Sequence, residues 1–165
     1  MKIKPLQSCD AEEYRKLRLA ALQNHPSAFA SSYEEEKDRS AAFYRERFES
    51  GESFTFGAFE DDTLIGSVTL LKETKLKLKH RALIVAMYVS EECRNKGVGK
   101  ALITAALEKA KEINEIEQVY LAVESTNEPA KRLYASFGFE VFGMDKRAMK
   151  IKDNYFDEYH MVRFL

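Results

Sequence analysis

Ala82 to Val89 is a continuous apolar run, and shortly after it come two glycines among three cations, Arg94-Asn95-Lys96-Gly97-Val98-Gly99-Lys100. From Val98 onward, Val98, Ala101, Leu102, Ala105 and Ala106 recur at helical spacing, so a helix is expected over Gly97 to Ile113. The apolar run is too short for a helix of its own and reads as a strand buried on both faces. A buried strand entering a glycine turn and then a helix constrains the chain to an α/β arrangement. It also predicts an anion site. The first amides of a helix have no internal acceptor and sit at the positive end of its dipole. Gly97 and Gly99 lack a Cβ and are expected to let an anion approach the backbone, with Arg94 and Lys96 neutralising charge beside it.

The rest of the chain supplies the other layers. Ile3 to Leu6 suits a short edge strand, where Pro5 is tolerated. Asp10 and Glu13 form a capping-box pattern ahead of Tyr14, Leu17, Arg18 and Ala21, and Asn24-His25-Pro26 ends that helix. Ser27 to Arg39 is polar and reads as irregular, Ala41 to Phe48 as a second helix. Alternation at Phe54, Phe56 and Ala58, a Glu60-Asp61-Asp62 turn and Leu64 to Leu71 predict a hairpin. Lys75 to Lys79 reads as an exposed strand end or loop. Val119 to Val123 is a further strand, Pro129 to Phe137 a short helix closed by Gly138, and Phe139 to Met144 and Tyr159 to Leu165 two final strands. The expected fold is a mixed α/β sheet of six to seven strands flanked by about four helices.

Composition narrows the function classes. The 165 residues, 45% hydrophobic and 32% charged, suit one domain over 1–165 with a packed core. With 26 Lys plus Arg against 27 Asp plus Glu, there is no broad field to capture nucleic acid or an anionic membrane. No apolar run approaches the roughly 20 residues of a membrane-spanning helix. The opening Met1-Lys2-Ile3-Lys4-Pro5 lacks a secretory pattern, so a cytoplasmic location is expected. Two cysteines, Cys9 and Cys93, and three dispersed histidines, His25, His80 and His160, argue against a disulfide scaffold and against a metal site.

Two phosphate-binding rules fail at the loop. A P-loop needs glycine where Arg94 stands and a hydroxyl where Ala101 stands; a dinucleotide fingerprint needs a small residue where Leu102 stands. What remains, Arg-x-x-Gly-x-Gly behind a strand, resembles the pyrophosphate-binding motif of the GCN5-related N-acetyltransferases, the GNAT family. Leu121 to Phe139 resembles the second half of that family's signature: a strand, Asn127, a helix, Leu133-Tyr134, then Gly138-Phe139. The resemblance is specific from about Leu83 to Phe142.

The resemblance implies two parallel central strands that splay apart around acetyl-CoA as co-substrate. Backbone groups of Met87 and Val89 would bond the pantetheine arm, and Arg94, Asn95, Lys96, Gly97, Val98, Gly99 and Lys100 would hold the pyrophosphate. Asn127 would cap the next helix and touch the cofactor, with Lys131 or Arg132 near the adenosine phosphate. Tyr134 would protonate the departing thiolate. The acceptor would be a primary amine on a peptide N-terminus, a lysine or a small molecule, and the protein a monomer or homodimer. Such an amine, with a pKa near 10.4, is neutral in only about one molecule in 2,500 at pH 7, a deficit of about 4.6 kcal/mol that a base must help recover. Many relatives carry a Glu on the strand matching Ala82–Val89, which has no acid here; where ribosomal-protein acetyltransferases often show Leu-Glu-Val, this chain has Leu121-Ala122-Val123. Glu124, two residues further along the same strand face, is the nearest carboxylate, with His80 and a water chain as alternatives. A non-catalytic acyl-CoA sensor is the rival reading. Cys93 is a weak candidate for a covalent relay, and Glu34-Glu35-Glu36 for recruiting a cationic amine; a solvated surface is the plainer expectation for these acids.

Overall fold

A computed structural model describes all 165 residues. Pro5 ends the edge strand β1 (Lys2–Pro5), which pairs antiparallel with β2 (Ser53–Glu60). The predicted hairpin joins β2 to β3 (Thr63–Lys72) through Asp61 and Asp62, both at positive φ. Next in space come β4 (Arg81–Val89), antiparallel to β3, and β5 (Gln118–Glu124), parallel to β4. The sheet closes with a long hairpin, β6 (Glu140–Ile151) and β7 (Asn154–Phe164), giving seven strands in the order β1-β2-β3-β4-β5-β7-β6. The last two strands run well beyond the expected Phe139–Met144 and Tyr159–Leu165. Tyr155, Phe156 and Glu158 pair in the ladder although no alternating apolar pattern marks them.

Helices cover both faces. On one, α1 (Ala11–Asn24) and α3 (Ala41–Glu49) bury Tyr14, Leu17, Ala21, Leu22 and Tyr44 against Leu64 and Tyr88. On the other, α4 (Val98–Glu112) sets Val98, Leu102, Ile103 and Ala106 against Val68, Leu70, Ala82 and Ile84, joined at one side by α5 (Glu128–Ser136). Leu102 and Ile103 have no exposed surface, a burial that contributes about 1.5–3 kcal/mol each. Two expectations change. Asp10 does not cap α1 through its side chain; its carboxylate turns back to the Gln7 amide (2.9 Å) and Lys4 Nζ (2.7 Å). The segment Ser27 to Arg39 holds a four-residue helix, α2 (Tyr33–Glu36), started by a Ser32–Glu35 capping box. Of the two alternatives for Lys75 to Lys79, the structure has the loop, a run of turns.

The apolar run of β4 is not buried on both faces. Ala82, Ile84 and Tyr88 are buried, while Leu83, Val85 and Met87 are partly open. Its ladder with β3 pairs Ser67 with Tyr88 but Thr69 with Val85, so Ala86 and Met87 together oppose one residue. This is a β-bulge, with Ala86 at φ 52° in the left-handed region. The extra residue reverses the facing of the strand beyond it. Ala82 and Ile84 therefore pack beneath α4, whereas Tyr88 joins the α1–α3 layer.

Candidate functional site

The parallel pairing of β4 with β5 covers only Arg81–Gln118, Ala82–Val119 and Leu83–Tyr120. At that end the Arg81 guanidinium lies 3.9 Å from the centre of the Tyr120 ring. Beyond it the strands part. Past Leu83, the β4 edge that faced β5 has no strand partner, and a backbone edge left unpaired in an interior seeks an acceptor or donor from elsewhere. A cavity of about 1340 Å³ fills the gap and continues beneath α1, α2 and α3. That exceeds the usual 300–1,000 Å³ of a small-molecule pocket and leaves room for two reactants.

One end of the cavity is the glycine loop. The N–H groups of Asn95, Lys96, Gly97, Val98, Gly99 and Lys100 donate to no protein acceptor, and α4 begins at Gly97 with Ala101 N–H bonding its carbonyl at 3.0 Å. Six consecutive free donors at a helix start form a positive concavity. Gly97 has φ 82° and Asn95 φ 61°, conformations that curl the loop. Gly99 has a different reason from the one expected. A Cβ there would stand 3.2 Å from Leu133 and 3.3 Å from Met87, so its bareness lets α4 approach α5 and β4. Arg94 is engaged within the protein: Nε donates to the Val89 carbonyl (3.1 Å) and Nη2 lies 2.8 Å from His25 Nε2, whose ring nitrogen also meets Glu91 (2.8 Å). Arg94, Asn95, Gly97, Val98, Gly99 and Lys100 line the cavity, as do Met87 and Val89; Lys96 does not. Cys93 is 4% exposed within the core and packs there, away from the cavity lining.

α5 forms the opposite lip. Asn127 caps it as expected, accepting from Ala130 N–H at 3.2 Å, and lines the cavity. Lys131 is turned to the Ser125 carbonyl (2.9 Å) and Glu128 (2.6 Å), while Arg132 faces the cavity. One turn along, Tyr134 is buried edge-on to Phe139, and its hydroxyl has no protein partner and opens on the cavity. Burial pushes its pKa up to about 12.

Two carboxylates meet on the β5–β7 wall. Glu124 and Glu158 are directly paired across the ladder and both line the cavity. Glu124 accepts from the Ser27 hydroxyl (2.7 Å) and from Thr126. Burial first, and then the neighbouring Asp145 and Glu124 charges, hold Glu158 above the usual carboxylate range against the opposing pull of His160. Sequence reasoning missed Glu158 as a site residue. It lies 34 positions beyond Glu124, and only the register of β7 brings the two together. No group of three or more His, Cys, Asp or Glu side chains is assembled as a metal site.

Of Glu34-Glu35-Glu36, the first two are exposed as expected, and the α1–α3 wall overturns the solvated-surface reading for Glu36 alone. Glu35 is the α2 capping acid, and Glu36 is 2% exposed. Glu36 accepts from Arg18 Nε (3.1 Å) and Nη2 (2.9 Å) and from the Tyr44 hydroxyl (3.0 Å), with Arg39 at 3.4 Å. Burial opposes its ionisation, but the Arg18 hydrogen bonds and charge outweigh that and set its pKa below the ordinary value.

A parted pair of parallel strands, a donor-rich glycine loop and a buried tyrosine on the facing helix line one cleft, the arrangement that the family resemblance implies. The acetyltransferase (GNAT) family model matches residues 14–139, and the chain belongs to that family. An N-alpha-acetyltransferase of Sulfurisphaera tokodaii is 31% identical over 106 residues, 59% of this chain and 63% of the relative. The L-amino acid N-acetyltransferase AaaT of Escherichia coli is 27% identical over 103 residues, 62% of this chain and 63% of the relative. The match thus spans just under two thirds of each relative's own length. Among solved structures, a probable acetyltransferase from Staphylococcus epidermidis is 27% identical with a TM-score of 0.78, covering 99% of this chain and 98% of that one.

Proposed function

We propose that the protein is an N-acetyltransferase that moves the acetyl group of acetyl-CoA to a primary amine by direct attack. The reading is carried by one observation: the β4–β5 gap joins the free amides of the glycine loop to the hydroxyl of the buried Tyr134, which opens on the cavity without a protein partner. The loop from Arg94 to Lys100 would receive the pyrophosphate, and the unpaired β4 edge at Met87 and Val89 the pantetheine amides, as an added strand would be received. The Val89 carbonyl already accepts from Arg94, so Arg94 would hold the end of β4 as well as face the anion.

In the reaction the amine nitrogen bonds to the thioester carbonyl carbon, the carbon–sulfur bond breaks, and one amine proton leaves. Glu158, whose carboxyl burial holds above the usual range, would take that proton, with Glu124 facing it across the ladder. Tyr134 would donate a hydrogen bond to the departing thiolate. The supply of acids on the β5–β7 wall answers their lack on β4, which favours turnover over sensing alone. Calorimetry should show micromolar binding of CoA and acetyl-CoA and much weaker binding of pantetheine, which lacks the pyrophosphate. Thiol release from acetyl-CoA should then occur with some members of an amine panel. No heat from CoA at millimolar concentration would refute the site.

A further inference from the structure

The walls of the cavity carry opposite charge, and the charge lies where the second reactant would sit. On the α1–α3 wall Arg18, Arg39 and Arg47 line the cavity with a single acid, Glu36, among them. Arg18 is spent on Glu36 through two hydrogen bonds and also lies over the Phe29 ring at 4.8 Å. Arg39 touches Glu36 at 3.4 Å, and Arg47 is engaged in no ion pair. Arg39 and Arg47 both approach the ring of Phe43, at 4.6 and 5.9 Å, so the same aromatic side chain positions two guanidinium groups. Counting three cations against one anion leaves an excess of two positive charges on this wall. The other wall, Glu124 and Glu158, is anionic.

From this segregation we infer that the acceptor is a small amine that also carries a carboxylate, as an α-amino acid does. The inference rests on the acetyltransferase reading for the identity of the amine. Its carboxylate pairs with Arg39 and Arg47, whose planar forks suit it, and its ammonium approaches the Glu124–Glu158 side to be deprotonated before attack. Tyr14, Phe29, Phe43 and Tyr44 also line the cavity and give an apolar side chain a surface to lie on. A polyamine meets the reverse situation, since its additional cations would face the arginine wall without compensation. Recruitment of cationic acceptors by the acidic run is the lesser of two sequence readings, and burial of Glu36 among arginines counts against it.

The test measures binding and turnover on the CoA-loaded protein with matched probes: L-phenylalanine and L-leucine, their α-carboxamides, and spermidine. Calorimetry should give at least tenfold tighter binding of the amino acids than of the carboxamides, weakening as salt is raised. Arg47→Gln and Arg39→Gln should bring that ratio towards one, while Arg45→Gln, on the same helix as Arg47 but outside the cavity lining, should leave it unchanged. With acetyl-CoA, kcat/KM should follow the same order, even though a carboxamide's less basic amine supplies more free nucleophile. Equal binding of acid and amide, failure of both to bind, or a preference for spermidine would overturn the inference. Selective binding of the amino acids with no thiol release from any amine would uphold the charge reading and remove the catalytic one.

Discussion

Replacing Tyr134 by Phe isolates one hydroxyl. Because that hydroxyl makes no hydrogen bond to protein, its loss leaves no buried group unpaired, and the melting temperature should move by no more than a degree or two. The effect on turnover follows from the phenol's pKa of about 12. A thiol has a pKa near 8.5, so full proton transfer from this tyrosine to a thiolate is uphill by about 3.5 units, or about 4.8 kcal/mol. In the proposed reaction Tyr134 would therefore act by donating a hydrogen bond to the growing negative charge on sulfur. A hydrogen bond to a charged group contributes about 1.5–3 kcal/mol, which converts to a loss of about 10- to 150-fold in kcat/KM. The assay is thiol release from acetyl-CoA with an accepted amine, run from pH 6 to 10 on both proteins. The wild type should show no basic limb attributable to this phenol below pH 10, since its pKa lies higher. A loss under threefold, or a basic limb near pH 9 that vanishes in the variant, would refute the assignment.

Glu158→Gln removes the carboxyl held above its ordinary range by burial. Turnover at pH 7 should fall by about 10²-fold or more, and the acid limb of the wild-type pH profile, expected above the free-carboxylate value, should be lost or displaced. Because its folded pKa is raised, ionised Glu158 opposes folding at neutral pH, so the variant should be at least as stable there and its advantage should shrink as pH falls. Glu36→Gln should be destabilising by about 3 kcal/mol at pH 7, measured by urea unfolding, because it leaves Arg18 buried without its anion. Glu36 has a lowered folded pKa, so its contribution is complete above the unfolded value and disappears as pH falls through the folded one. The difference between wild type and variant should therefore narrow below about pH 4.5.

Local signals in the chain determined a great deal: the β2–β3 hairpin, the helices α1, α3, α4 and α5, the Asn127 cap, and a glycine loop with free helix-start amides. Each depends on residues within a few positions of one another, through spacing, capping or turn chemistry, and such patterns are written in linear order. The bulge at Ala86 was illegible there because nothing in an unbroken apolar run marks the residue that the β3 register will leave over. It is nonetheless the bulge that turns Tyr88 to the other face of the sheet. The tertiary structure alone decided which charges share a wall. Glu158 meets Glu124 through the β5–β7 register, and Glu36 meets Arg18 because α2 folds back over α1, which takes one acid of an otherwise exposed run into a buried ion pair. Charge in a sequence gives a sum; only packing fixes distance and dielectric, and those set what a charge does.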